Sequence, residues 1–164
     1  MQATSTDRRP TAADDPELKR RLVWHGVLLF LLGLLGGTAV SAMANPRMGL
    51  SAHVGTVLNG TFIVALGAAW DVLELSPRAR VAAFWLVVAG SYGGCLGLLL
   101  AAVLGTHDST PIHGAAQSAG YWAETLVAVT LTVPGIALLV GTALVLLGLG
   151  QRRRSAGPSA LSAA

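Results

Sequence analysis

Between residues 22 and 150 the chain carries only seven charged side chains: Arg47, Arg78, Arg80, Asp71, Glu74, Asp108 and Glu124. So few charges cannot cover a water-soluble surface, where about a quarter of all residues are charged. A soluble globular enzyme is excluded, and the apolar content of 53% excludes a disordered chain. The remaining charges lie in residues 1–21 and in Arg152, Arg153 and Arg154. These basic residues flank apolar runs instead of lining one face, so the net charge of +3 does not point to nucleic acid. A single cysteine, Cys95, rules out an internal disulfide framework and a Cys-based zinc site.

Four apolar stretches, near 22–44, 50–73, 81–105 and 121–150, are long enough to cross a bilayer, which takes roughly 20 helical residues. Inside lipid the backbone must satisfy its own hydrogen bonds, which leaves helices or a closed barrel. The runs are continuous, without the alternation of barrel strands. The expected fold is an all-α integral membrane protein, a bundle of four transmembrane helices over 22–150. Residues 1–21 and 151–164 read as disordered cytoplasmic tails, polar or small in composition and the second one basic. Asn45-Pro46 and Ser76-Pro77 mark two breaks, and 107–120 is a polar loop. Pro134 predicts a kink inside the fourth span.

Lys19, Arg20, Arg21, Arg78, Arg80 and Arg152 to Arg154 fall on one side, and only Arg47 on the other. The positive-inside rule then puts both termini in the cytoplasm, in a bacterial inner membrane. The basic start and Ala42-Met43-Ala44 also resemble a cleavable signal peptide. An apolar run of some 20 residues exceeds the 7–15 of such a leader, which favours a retained span.

Polar side chains inside the spans single out a site, because they are expensive in lipid. The second span holds His53 and Asn59. Six residues separate them by roughly 9 Å along the axis and about 120° around it. Gly49 and Gly60, at −4 and +7 from His53, would leave a shallow strip for a planar cofactor. Bonding of both side chains to neighbouring helices is an equal alternative. Depth places Tyr92 near mid-membrane, and Glu124 and Trp122 level with His53. His25 falls near the opposite end and reads as structural. Trp24, Trp70 and Trp85 read as interface anchors. Pairs of glycines four apart, Gly33/Gly37, Gly90/Gly94 and Gly93/Gly97, suit close helix packing or a flat ligand. His107 and His113 are loop residues whose spacing could bind a metal.

The segment from Ala44 to Phe62, with Trp24-His25-Gly26, Pro77-Arg78-Ala79 and Phe84-Trp85, resembles hydroxylaminobenzene mutase over 22–150. Ala52-His53 with Asn59-Gly60 is also similar, more distantly, to styrene oxide isomerase. The first resemblance implies an isomerase that turns a small aromatic hydroxylamine into 2-aminophenol by a Bamberger-type rearrangement. The second implies ferric haem b as cofactor and a homotrimer as the assembly. It makes His53 the axial ligand of the iron and Asn59 a substrate-orienting residue. The tyrosine of that family falls on Leu98 here, with Tyr92 out of register, a departure that fits a changed substrate. Tyr92 and Glu124 are the candidates for proton transfer. The alternatives are an epoxide isomerase, a small four-span transporter with Glu124 as its proton-coupling carboxylate, and a structural membrane subunit.

Overall fold

Proline opens three of the four long helices, where its fixed φ suits the first turn and its missing N–H is not needed. The computed structural model describes residues 16–114 and 118–155. It consists of α1 (Pro16–Thr38), α2 (Pro46–Ala68), α3 (Pro77–Leu104), the single turn α4 (Pro111–Gly114) and α5 (Tyr121–Ser155). Short 3-10 turns at Val40–Ala42 and Trp70–Val72 follow α1 and α2. There is no strand among the described residues, and the four long helices are each apolar enough to cross a membrane.

The caps explain the boundaries. Asn45 Oδ1 accepts from the Met48 amide at 3.1 Å, and Ser76 Oγ accepts from that of Ala79 at 3.4 Å. Gly105, at φ 66°, closes α3 in the left-handed conformation. α1, α2 and α3 therefore start four to six residues earlier than the apolar runs do, while α5 starts with its run. In α1 this corrects the reading of 16–21 as tail. Glu17 pairs with Arg20 and Arg21 on the first turns, and Lys19 reaches Asp71 after α2. At the other end α5 continues to Ser155, while residues 1–15 and 156–164 lie outside the described residues.

α1 packs antiparallel on α2, α5 packs on α3, and α2 meets α3 in the middle. Lipid tails are as apolar as leucine, so close van der Waals contact must hold such helices together. Glycines provide it. A Cβ on Gly60 would lie 2.5 Å from the Phe30 amide nitrogen, and one on Gly26 2.7 Å from that of Val64. Gly33 and Gly67 repeat these contacts seven residues on. The second hairpin does the same, with Gly90 against Leu138, Gly97 against Thr130 and Gly141 against Val87. The working spacing is seven and not four, because a shallow antiparallel crossing returns to the same face every two turns. Gly94 faces open space, and Gly93 meets Pro134.

Two apolar clusters form. The larger holds Leu22, Leu29, Ile63, Trp70, Phe84 and Val87, and the smaller Met48, Ala101, Ala102 and Val127. Trp70 is 2% exposed and belongs to the core, unlike Trp24 and Trp85 at 60% and 55%. Its 3-10 turn folds it back under α1 and α3, which corrects its reading as an interface anchor.

Gly60→Ala is expected to destabilise the bundle by about 1–3 kcal/mol, the usual range for overpacking. Gly135, with nothing within 4 Å of its Cβ position, is the control. Thermal unfolding midpoints in detergent should fall for Gly60→Ala and not for Gly135→Ala.

Candidate active site

Between the two clusters lies a cavity of about 430 Å3, within the usual size of a small-molecule site. α1 contributes Leu29, Leu32, Gly33 and Gly36, and α2 contributes Gly49, Ala52, His53 and Thr56. α3 closes it with Tyr92, Gly93, Cys95, Leu96 and Leu99, and Met43 caps one end. The wall is apolar and open to one side, where Leu32, Leu96 and Leu99 are 40–50% exposed.

His53 is held by α1. Its Nδ1 lies 2.7 Å from the Gly33 carbonyl oxygen, which can only accept, so Nδ1 carries the proton. The other ring nitrogen, Nε2, has no hydrogen bond in the described residues and is the one that bears the lone pair in this tautomer of the neutral ring. A histidine that binds a metal almost always donates its second N–H in this way. The imidazole rests on Gly37, where a Cβ would lie 2.7 Å from Nδ1 and 2.8 Å from Cε1. The flat group that Gly37 admits is the ring of His53.

Of the two glycines expected beside His53, Gly49 lines the cavity. Gly60 does not, because the crossing of α1 on α2 uses it. Asn59 stands behind the wall. Its Nδ2 donates to the Gly55 carbonyl at 3.1 Å and contacts Cys95 Sγ at 3.8 Å. Its Oδ1 lies 3.5 Å from Ser91 Oγ, so the side chain ties α2 to α3. Leu98 lies over Gly55, between His53 and Asn59 on the facing helix.

Tyr92 lines the cavity and binds His25, which sequence reasoning had set apart from the site. Only the packing of α1 against α3 reveals this contact, since nothing in the spacing pairs residues 67 apart. Glu124 is elsewhere. Its two oxygens accept from the backbone amides of His107 and Asp108 at 3.0 and 3.1 Å. The carboxylate staples the loop to the start of α5, with His107 Nδ1 3.7 Å away. Asn45 plays the matching part across the loop, bonding Ala102 O through its amide and His113 O through its side chain. Neither His107 nor His113 lines the cavity.

Residues 18–150 match the family model for styrene oxide isomerase. The chain belongs to the styrene oxide isomerase family. It is similar to hydroxylaminobenzene mutase HabB of Ectopseudomonas oleovorans, with 42% identity over 92% of this chain and 94% of that one. Hydroxylaminobenzene mutase HabA of the same organism is 39% identical over 53% of this chain and 73% of its own. No solved structure matches the chain. The protein is thus a multi-pass membrane enzyme of the isomerase class, which sets aside the transporter and structural-subunit readings.

Glutamine at position 124 keeps one acceptor oxygen where two are used. Glu124→Gln is expected to leave one loop amide unpaired, a loss of about 1–3 kcal/mol. Amide hydrogen exchange should speed up at His107 and Asp108 and stay unchanged along α2.

Proposed function

We propose that the protein converts hydroxylaminobenzene to 2-aminophenol by a Bamberger-type rearrangement, with ferric haem b held by His53. The observation that carries this reading is the imidazole itself. It sits in an apolar wall with Nδ1 bonded to a backbone carbonyl and Nε2 free to bind a metal. The donor set fits haem iron, which takes one neutral imidazole and leaves a position open. The side opening fits a planar group larger than the enclosed space. The likeness to two hydroxylaminobenzene mutases supports the choice of substrate.

A bound ferric haem would supply a Lewis acid for the N–O group of the substrate. The chain does the rest. Gly33 and Gly37 fix the imidazole in place and in tautomer. Leu29, Leu32, Leu96 and Leu99 receive the aromatic ring and keep bulk water from trapping a cationic nitrogen species. Asn59 orients the substrate through the α3 wall that it secures at Cys95 and Ser91. Epoxide isomerisation in the same cavity is the second reading, favoured by the family model.

His53→Ala should abolish the Soret band of the purified protein together with 2-aminophenol formation. Gly37→Ala should weaken both, because its methyl group would strike the imidazole. His25→Ala should keep the Soret band. In Asn59→Ala the haem should stay, with turnover reduced roughly 10²-fold, the scale of a small misplacement of reacting groups. A Soret band that survives in His53→Ala overturns the ligand assignment. Parallel assays with hydroxylaminobenzene and styrene oxide separate the two readings.

The same reading places both termini in the cytoplasm of a bacterial inner membrane, supported by the basic residues beside α1 and α3. Alkaline phosphatase should be active when inserted at the 106–110 loop and inactive at the C-terminus. A homotrimer belongs to this reading too, and light scattering in detergent should give three chains per particle.

A further inference from the structure

Four protic side chains line the cavity: His53, Thr56, Tyr92 and Cys95. Thr56 spends its proton on the Ala52 carbonyl of its own helix at 2.6 Å. The sulfur of Cys95 meets the Asn59 amide and the Thr56 hydroxyl, neither of which is a base. His53 is held by Gly33. Tyr92 differs, because its hydroxyl is joined to a base outside the cavity wall. Its Oη lies 3.3 Å from His25 Nδ1 and 3.3 Å from the His25 carbonyl oxygen. A hydroxyl with one proton and two acceptors at the same distance can place it on either. His25 is half-buried in an aromatic frame, with the rings of Trp24, Phe84 and Tyr92 at 5.0, 6.2 and 5.7 Å.

The reaction proposed above has a proton requirement that this pair meets. The N–O bond breaks and a C–O bond forms at the ortho carbon, which then carries both hydrogen and oxygen while nitrogen is left as an imine. To reach the aminophenol, that carbon must lose its proton, and the C–H electron pair rebuilds the aromatic ring. The imine nitrogen must gain a proton. No electrons leave the substrate, and one proton moves from carbon to nitrogen. In water the solvent would carry it. In a mostly apolar cavity that task falls to the few protic side chains that line it.

Resting on the mutase reading, we propose that Tyr92 and His25 form a proton relay that moves the ortho hydrogen from carbon to nitrogen. Tyr92 Oη accepts the proton from carbon as its own passes to His25 Nδ1. The reverse passage delivers a proton to nitrogen, so the pair ends as it began. Tyr92 meets the substrate, and His25 is a positioning residue that acts only through it. The carboxylate of Glu124 takes no part, being held by the loop amides.

The test compares hydroxylaminobenzene with its form deuterated at both ortho carbons, in the wild type, Tyr92→Phe and His25→Gln. Phenylalanine keeps the ring, and glutamine keeps a hydrogen-bonding partner for Tyr92 but cannot take up a proton. Loss of the relay should lower kcat by roughly 10²-fold or more, the scale of general acid–base catalysis, with KM little changed. It should also turn C–H cleavage into the slow step, so that a primary deuterium isotope effect absent in the wild type appears in both variants. A purely structural role would lower activity without any isotope effect, and that result overturns the relay. Unchanged kcat in His25→Gln overturns it as well, whether or not Tyr92→Phe folds. Failure of the wild type to convert hydroxylaminobenzene would instead overturn the mutase reading, and the relay with it.

Discussion

The contact of α1 with α2 through bare backbone is the constraint on which the rest depends. With no hydrophobic force between helices in lipid, close packing is the main hold on the pair, and it needs the absence of side chains at Gly26, Gly33, Gly60 and Gly67. The same approach brings the Gly33 carbonyl within 2.7 Å of His53 and lays the imidazole on Gly37. Stability and site geometry therefore share one cause. A side chain wide enough to part the two helices would remove the acceptor that sets the tautomer of the histidine.

A second economy concerns polar groups. Serine and threonine side chains within the helices mostly bond to the carbonyl of the preceding turn, as Thr56, Thr61, Thr125 and Thr130 do. That leaves few polar atoms free to act between helices. Among those that cross within the described residues are Asn59 with Cys95 and Ser91, Tyr92 with His25, and His53 with Gly33. Each of these three connections includes a residue that lines the one cavity. In a medium where an unpaired polar group is so unfavourable, such clustering is itself a sign of chemistry.

The end of the bundle away from the termini is closed by polar staples. Buried Asn45 joins the turn after α1 to the end of α3 and to α4, and Glu124 gathers the loop amides at the start of α5. Asn45 thereby ties the turn before α2 to the end of α3, the segments that bring Met43 and Leu99 to the cavity. Glu124 drew notice in the sequence as an acid near the level of His53. Depth alone could not tell a catalytic carboxylate from one turned toward a loop.

The sequence by itself determined the membrane class, the four helices, the breaks at Asn45-Pro46 and Ser76-Pro77, and the presence of a histidine, His53, inside the second span. Each follows from a local property: a run without charge, a proline that starts a helix, a histidine too polar for lipid. What needed the tertiary structure was every relation between helices. The seven-residue glycine contacts, the burial of Trp70, the retreat of Asn59 and Gly60 from the cavity and the pairing of His25 with Tyr92 all depend on how helices rotate against each other. In a chain this apolar, no polar face records that rotation. Only the shape of the backbone where glycines meet decides it.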